Sequence, residues 1–342
     1  MLRSMYSAIS GMQGFQTKLD VIGNNIANVN TPGFKAGRVD FADVLSQTMS
    51  GGSAPAAGNG GTNPAQVGLG VRVVGIDNLF TQGGNQSTGV ATDLAINGDG
   101  FFTVTDATGQ DYLTREGDFS VDSGQNLVLP DGKIAEGFGF IVDTTKNPNV
   151  PLTLDTSKRE PVNLNQLLSQ YVGALAGFTD SDGGTYSNPS NNSISYTLKG
   201  TTVTRTFSLS SAPDLQVGPD GSLSVILQYT DTDPVSGATV GSGTMRATIG
   251  KLAIATVDNP GGMEKVGDTL FVAGTNSGTP SFQVAGTNNT GTIASGFLEM
   301  SNVDLTREFT EMIVAQRGFD ANSHVIGTAN AILQDIVNLK NS

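Results

Sequence analysis

The two ends of the chain carry the longest regular patterns of apolar positions. Near the C-terminus, apolar residues recur at intervals that add up to seven, which predicts one long amphipathic helix after Asp304. Acidic Glu308 and Glu311 fall in the first turns of this pattern, as is typical of a helix N-terminus. The apolar positions of the predicted C-terminal helix are Leu305, Phe309, Met312, Ile313, Phe319, Ile326, Leu333, Ile336 and Val337.

A second apolar stripe begins with the first residues of the chain and predicts an N-terminal helix. It ends near Asn30, where Asn, Thr, Pro and Gly supply helix-breaking and turn-forming residues. Heptad-like spacing leaves one side of each helix apolar, so each needs an apolar partner along its length. The free energy gained by burying one apolar stripe is smaller than the conformational entropy cost of ordering the helix. We therefore expect each helix to have further neighbours, either from this chain or from other copies. The apolar positions are Leu2, Met5, Ile9, Met12, Phe15, Leu19, Ile22, Ile26 and Val29.

Between the two predicted helices, short apolar runs alternate with turn dipeptides such as Asn97-Gly98 and Asp131-Gly132, which predicts β-structure. Residues 162–177 are the one internal stretch predicted to form a helix, and residues 193–210 are predicted to form a hairpin that turns near Lys199-Gly200. The stretch 51–66 lacks charge and bulky apolar residues, which predicts a flexible linker or an irregular loop.

These patterns predict a mainly β fold with long α-helices at both termini. The terminal helices are expected to pair in an inner, coiled-coil-like layer, with two β-rich outer domains in a discontinuous, nested topology. The predicted parts are a helical domain of residues 1–50 and 298–342, a connecting loop of residues 51–70, a β-rich middle domain of residues 71–142 and 251–297, and an inserted β-rich outer domain of residues 143–250.

The charge balance narrows the classes of partner. The chain has 18 Lys and Arg against 31 Asp and Glu, a net charge of −13, which argues against nucleic acid and against an anionic membrane surface. It has no cysteine, which excludes disulfides and thiolate chemistry, and no apolar run that approaches the length of a membrane span. The N-terminus lacks the pattern of a conventional secretory signal, so export, if it occurs, is expected to use another route.

The sequence offers no cluster of residues suited to catalysis. His324 is the only histidine and falls inside the predicted C-terminal helix, where a packing or surface role is commoner than that of a base or ligand. Asp180 and Asp182 suggest a calcium loop only faintly, because the glutamate expected at its twelfth position is missing. We therefore predict no enzyme activity, no cofactor and no metal site. A secreted β-rich binding module remains an alternative class, although it would not need apolar stripes at both termini.

Five stretches in order are similar to the bacterial flagellar rod and hook family. The opening LRSMYSAISGMQGFQTKLDVIGNNIANVNTPGFK resembles the N-terminal signature of that family, and GFLEMSNVDLTREFTEMIVAQRGFDANSHVIGTANAILQDIVNLK resembles its C-terminal signature. Residues 93–104, 112–132 and 258–271 resemble its β-motifs. The family motif at the turn after the first helix corresponds to Asn25, Asn28, Asn30, Thr31, Pro32, Gly33 and Phe34.

The resemblance implies an axial structural protein whose terminal helices pair around the central channel of a helical tube. Its implied partners are further copies of itself, other axial proteins (rod, hook cap and hook–filament junction) and the flagellar type III export apparatus. It implies a place outside the cell in the hook–basal body, export without a cleaved signal peptide, and neither nucleic acid binding nor membrane insertion. The inserted residues 143–250 favour a hook subunit, a flexible universal joint between rod and filament, while the distal rod protein remains the alternative.

Overall fold

The computed structural model describes residues 2–55, 60–141, 153–156, 158–174, 185–190, 193–198, 201–209, 214–233, 235–236, 238–288 and 290–341. In chain order, the first elements are α1 (Leu2–Ala27), β1 (Gly37–Asp43), β2 (Ser46–Ser50), β3 (Ala65–Gly68), β4 (Val71–Asn78), β5 (Asn85–Ser87), β6 (Leu94–Asn97), β7 (Phe101–Thr105), β8 (Asp111–Thr114), β9 (Ser120–Val121), β10 (Leu127–Val128), β11 (Ile134–Phe138), β12 (Phe140–Ile141), β13 (Thr153–Leu154) and β14 (Glu160–Pro161). The remaining elements are α2 (Leu164–Ala174), β15 (Thr185–Ser190), β16 (Ser193–Leu198), β17 (Thr201–Leu209), β18 (Gln216–Val217), β19 (Ser222–Thr232), β20 (Thr239–Thr256), a 3-10 turn (Pro260–Gly262), β21 (Glu264–Gly267), β22 (Leu270–Val272), β23 (Ser281–Val284), β24 (Thr292–Ser295), β25 (Phe297–Glu299) and α3 (Leu305–Asn341).

The chain divides into two compact units. Unit 1 comprises residues Met1–Thr31, Lys35–Thr81 and Ser301–Ser342, so it contains both chain ends with α1, α3 and β1 to β4. Unit 2 comprises residues Pro32–Phe34 and Gln82–Met300 and contains the other elements. The prediction of a mainly β chain with a helix at each end is confirmed.

In unit 1, α1 packs against both α3 and the antiparallel pair β1–β4. Asp304 caps α3 as predicted, because its Oδ1 accepts hydrogen bonds from the amides of Thr306 and Arg307 at 2.9 and 3.3 Å. On the sheet side of α1, the rings of Phe15 and Phe41 lie with their centroids 6.3 Å apart. The N-terminal helix is thus fixed from two directions.

Strands β2 and β3 also pair antiparallel, and they continue the ladder of β1 and β4 outward as one long hairpin. An isolated bridge between Ser53 and Thr62 extends the pairing further. Within the predicted connecting loop of residues 51–70, the described residues on either side of 56–59 therefore include paired positions in two arms that both lie in unit 1, and residues 56–59 lie outside the described residues. Gly, Asn and Pro are common in turns as well as in linkers, so composition alone did not predict this pairing.

In unit 2, one antiparallel sheet of 15 strands is formed by the described residues, and β20 is its longest strand. The first half of β20 pairs with β19, and its second half pairs with β7, β11 and β23. The predicted boundary between Gly250 and Lys251 falls inside this strand, so β20 belongs to both predicted β-domains. Pairing continues on both sides of that boundary, where the β-branched residues Thr248, Ile249 and Ile254 favour a strand.

Most of the described buried apolar residues of unit 2 form one core cluster, and Phe138, Ala253 and Val284 form a smaller one. The larger cluster joins Phe102 and Phe119, whose rings meet edge to face at 5.3 Å, to Leu167 and Leu168 of α2 and to Val225 of β19. Asn163 caps α2 by accepting a hydrogen bond from the Gln166 amide at 3.0 Å. The predicted internal helix is thus present as α2, and the predicted hairpin as the pair β16–β17, whose turn at Lys199-Gly200 lies outside the described residues.

Candidate assembly surface

The contacts between α1 and α3 run in opposite directions along the two helices. Asn25 near the end of α1 contacts Glu308 at the start of α3, and Lys18 pairs with Glu311 at 3.2 Å. Further along, Phe15 faces Gly318, and Gly11 faces Asn322. The two helices are therefore antiparallel, and the 37-residue α3 continues past the start of the 26-residue α1.

Buried and half-buried positions of α3 recur alternately four and three residues apart. We call this row the seam, and it comprises Glu308, Met312, Ala315, Phe319, Asn322, Ile326, Ala329 and Leu333. Every second member is small or polar, whereas the members between them are bulky and apolar. The two small members, Ala315 and Ala329, allow the neighbouring helix to approach closely at these two points.

Glycines mark the closest approach of the two helices. A methyl group on Gly318 would lie 2.5–2.8 Å from three carbon atoms of the Phe15 ring, and one on Gly11 would lie 2.8 Å from Nδ2 of Asn322. Real side chains essentially never approach so closely, so a larger residue at either position requires Phe15, Asn322 or the helix that carries it to shift. The sequence carried this signal as small residues inside helical patterns, but the apolar periodicity drew attention to other positions.

Polar side chains connect the end of α1 to the start of α3. The amide of Asn25, which is 2% exposed, donates to the Gly37 carbonyl at 2.9 Å and to Oε2 of Glu308 at 3.2 Å, and its Oδ1 accepts from the Gly37 amide at 2.9 Å. Glu311 accepts hydrogen bonds from Arg307 and Lys18. Burial by itself would raise the pKa of Glu311, but these two cationic donors together outweigh it and hold the pKa below its usual value.

A different set of large apolar side chains on α3 remains exposed. Ile313 and Val337 are each 58% exposed and Phe309 is 50% exposed, although a free helix surface normally carries polar residues. The exposed apolar residues of α3 are Leu305, Phe309, Ile313, Val314, Val325, Ile332, Ile336 and Val337. We call this set the outer stripe, and its members lie on more than one side of α3, since Ile313 and Val314 are consecutive residues. In α1, Tyr6 and Ile9 are exposed as well.

The predicted assembly residues therefore fall into two groups. One group is buried or half-buried and consists of Met5, Met12, Leu19, Ile22, Ile26, Met312, Phe319, Ile326 and Leu333. The other is exposed and consists of Ile9, Leu305, Phe309, Ile313, Ile336 and Val337. The side chain of Leu2 lies outside the described residues. The sequence pattern placed both groups on one stripe, whereas the structure separates packing within the chain from surface open to a neighbour.

The predicted turn motif is divided between the two units. In unit 1, Asn28 and Thr31 bond to each other at 3.2 Å through their side chains, while Asn30 is exposed. In unit 2, Pro32 leads into Gly33, which has a φ of +70°, a region that favours glycine. Phe34 is 3% exposed beneath the ammonium group of Lys265, at 4.1 Å from the ring centroid.

A buried ion pair in unit 2 was missed at the sequence level. Arg115 Nη1 donates to Oε2 of Glu299 at 3.1 Å, with both side chains almost fully buried, and Nη2 donates to the Gly98 carbonyl at 2.7 Å. The guanidinium group also lies 5.3 Å from the centroid of the Phe101 ring. Neither residue belongs to a local pattern, since 184 positions separate them.

Among the described residues, no group of three or more His, Cys, Asp and Glu side chains is arranged to hold a metal ion. Likewise, none of the described helices combines the length and the hydropathy that crossing a bilayer requires.

Three stretches of the chain match known protein families. Residues 5–35, which contain most of α1 and the turn motif, match the family described as flagella basal body rod protein. Residues 95–163 match the flagellar hook protein FlgE/F/G D1 domain, and residues 294–339, which contain most of α3, match the flagellar basal body rod FlgEFG protein C-terminal family.

Whole-length relatives extend these matches to the rest of the chain. The flagellar basal-body rod protein FlgG of Bacillus subtilis is 41% identical over 341 residues, covering 99% of this chain and 100% of the relative. The flagellar hook protein FlgE of Borreliella burgdorferi is 34% identical over 444 residues, covering 100% of both chains. FlgE of Salmonella typhimurium is 30% identical over 421 residues, covering 98% of this chain and 100% of the relative. The helix pair with its two apolar surfaces thus belongs to a chain of the bacterial flagellar hook and rod axial protein family.

Proposed function

We propose that this chain is the structural subunit of the bacterial flagellar hook. It polymerises with other copies into a curved helical tube that acts as a flexible universal joint and transmits torque from rod to filament. The observation that carries this proposal is the outer stripe of α3. A monomer gains nothing from exposing so many large apolar side chains, whereas neighbouring copies in a tube would cover them.

The size of the effect fits assembly. Complete burial of a Val, Ile, Leu or Phe side chain contributes about 1.5–3 kcal/mol, so burying the exposed half of each contributes roughly 1 kcal/mol. Several such residues per subunit, repeated over many subunits, favour a polymer. A surface that meets a different surface on the next copy generates an open helical array unless the rotation closes into a ring.

The seam supports a coiled-coil-like inner layer made of α1 and α3. Its alternating spacing of four and three is the repeat that such pairing requires. A nested topology is supported by the division of the chain, because unit 1 contains both termini and unit 2 is built mainly from the continuous internal stretch 82–300. The predicted division of the β-rich part into a middle and an outer domain remains a proposal.

The distal rod protein is the second candidate, and one observation favours it. The rod protein FlgG of Bacillus subtilis aligns over 341 residues, close to the length of this chain, whereas the hook proteins align over 421 and 444 residues and therefore include segments that this chain lacks. We favour the hook because the inserted β-rich part of residues 143–250 is what we expect of a hook subunit with an additional outer domain. In either role the subunit is structural and non-enzymatic.

The proposal includes partners and location. We propose that the other axial proteins (rod, hook cap and hook–filament junction) contact the ends of the tube, and that the type III export apparatus delivers the chain to the growing structure outside the cell. The net charge of −13 argues against nucleic acid as a partner.

Deletion of the gene, followed by electron microscopy of isolated basal bodies, tests the function. Curved tubes that contain this chain, with the rod retained in the deletion strain, support the hook. Straight tubes, or loss of the distal rod in the deletion strain, identify the rod protein, and the absence of any tube in the wild type contradicts both.

A pair of charge substitutions tests the surface itself. Ile313→Asp places a carboxylate in the outer stripe, and we expect it to abolish tube formation while the purified monomer keeps its circular dichroism spectrum. Val235→Asp is the matched control, because Val235 is 93% exposed in unit 2, outside the outer stripe. Normal tubes from Ile313→Asp would contradict the assignment of the outer stripe to assembly.

A further inference from the structure

The chain passes between the two units at four points. Three of these points lie within residues 33–36, 79–83 and 299–302, and each of these segments has one part in unit 1 and the other in unit 2. We call them the connecting segments. A force applied to one unit reaches the other along the chain only through them and through the peptide bond between Thr31 and Pro32.

In unit 2, Glu299 bonds to the other two connecting segments. Its side-chain Oε1 accepts a hydrogen bond from the Gly83 amide at 2.9 Å, and its backbone carbonyl accepts one from the Gly33 amide at 2.8 Å. Its second carboxylate oxygen accepts from Arg115, and the Glu299 side chain has no exposed surface. Hydrogen bonds to a carboxylate are stronger when water is excluded, so this is a firm attachment.

In unit 1, Asn302 bonds to the parts of the same two segments that belong to that unit. Its Oδ1 accepts from the Ala36 amide at 2.8 Å, while its Nδ2 donates to the Leu79 carbonyl at 2.7 Å and to Oγ1 of Thr81 at 2.9 Å. The buried ammonium group of Lys35 also donates to the Thr81 carbonyl at 2.8 Å.

We propose that Glu299 and Asn302 are load-sharing residues, each of which ties the three connecting segments together within its own unit. Several chain segments that connect the same two units share a force only when they are fixed to one another within each unit. Without these ties, the shortest segment would bear the force first and the others would follow in turn. The inference rests on the proposed function, in which torque passes through every subunit, and it names the residues that keep the chain crossings intact under that torque.

Two substitutions with matched controls weaken the ties, one in each unit. Asn302→Asp keeps the acceptor for the Ala36 amide but removes the donors to Leu79 and Thr81. Its control is Asn163→Asp, which removes side-chain donors to the Gly124 carbonyl and to Asn126 in unit 2. Glu299→Gln removes the charge facing Arg115 and so weakens the charge-assisted hydrogen bond from the Gly83 amide. Its control is Asp231→Asn, which removes the charge facing Arg205 in another largely buried pair of unit 2.

Single-molecule pulling on the purified full chain measures load sharing directly. The chain has no cysteine, so Gln47→Cys in the hairpin of unit 1 and Val235→Cys in unit 2 provide two unique attachment points for handles. We expect Asn302→Asp and Glu299→Gln to lower the force of the first rupture and to split one rupture into successive steps. Each control should rupture like the wild type. Equal rupture forces in a variant and its control would overturn the proposal.

Amide hydrogen exchange of the wild-type chain gives a readout that does not depend on the folding of any variant. The Ala36 and Gly83 amides should be protected together with the core of each unit, and Asn302→Asp should leave Ala36 protected. Exchange of either wild-type amide at the rate of exposed loops would overturn the proposal. These measurements use the monomer, so they remain informative even if isolated basal bodies contain no tube of this chain.

Discussion

Replacing Gly318 with alanine tests whether α1 and α3 pack as closely as the structure has them. The added methyl group would lie 2.5–2.8 Å from three carbon atoms of the Phe15 ring. That ring also faces Phe41, with centroids 6.3 Å apart, which limits the directions in which it can move. Forcing an extra methyl group into a packed site typically costs about 1–3 kcal/mol.

The same helix supplies a matched control at Gly327. A methyl group at Gly327 would meet no atom within 4 Å, so this substitution changes only the backbone preference. Replacing glycine by alanine inside a helix stabilises it by about 1 kcal/mol, and that gain applies at both positions. We therefore expect Gly327→Ala to raise the free energy of unfolding by about 1 kcal/mol, and Gly318→Ala to fall below it by about 1–3 kcal/mol.

Urea unfolding of the purified chain, followed by circular dichroism at 222 nm, compares the two variants. A second substitution, Phe15→Leu, should restore much of the stability lost in Gly318→Ala, because it relieves the close contact. The same substitution should bring no such gain when it is added to Gly327→Ala. If Gly318→Ala stabilises the chain as much as Gly327→Ala does, Phe15 and Gly318 do not pack as closely as the structure has them.

Three further predictions concern polar side chains. Asn25→Ala removes the hydrogen bonds to Gly37 and Glu308 and should lower the free energy of unfolding by about 1–3 kcal/mol, measured by urea unfolding; an effect no larger than that of Asn28→Ala would contradict this. The pKa of Glu311 is lowered, so its stabilising contribution is fully present above the unfolded value of about 4.3 and is lost as the pH falls through the lower folded value. Glu311→Gln should therefore lose more stability relative to wild type at neutral pH than in acid, and a constant difference would refute the ion-pair geometry. Burial raises the pKa of Glu116, against a hydrogen bond from Thr269 that lowers it, so its favourable contribution is present in acid and is lost as the pH rises through the raised value. The melting temperature of Glu116→Gln should therefore rise relative to that of the wild type as the pH increases from about 4 to 7. A relative fall over this range would contradict a raised pKa of Glu116.

Local signals account for what the sequence predicted well. The capping residue Asp304 and the periodic apolar positions after it mark the start of α3, and the stretch around Leu167 marks α2, because a helix is specified by residues within a few turns of one another. The sequence was less informative about which apolar helix positions are buried and which are exposed, because it predicted both as one stripe. Periodicity identifies apolar residues on a helix, but it does not say whether the partner of each is in the same chain or in another.

Long-range polar contacts account for most of what the sequence did not predict. Asn25 and Glu308 are separated by 283 positions, and Arg115 and Glu299 by 184. A glutamate in the first turn of a helix is favourable on its own, so nothing local indicated that Glu308 is 8% exposed and meets an asparagine from the other end of the chain. Such pairs become visible only when the fold brings their elements together.

The composition of the seam links the stability of the helix pair to assembly. One of its two repeating positions holds Glu308, Ala315, Asn322 and Ala329, so half of the seam buries little apolar surface. Bulky apolar residues that a self-sufficient pair would bury remain instead on the outer stripe. A helix pair of this kind gains only part of the free energy that its ordering requires, and neighbouring copies supply the rest. The order of α1 and α3 should therefore increase with polymerisation, so a substitution that weakens the seam and one that weakens the outer stripe should both shift the same equilibrium between monomer and tube.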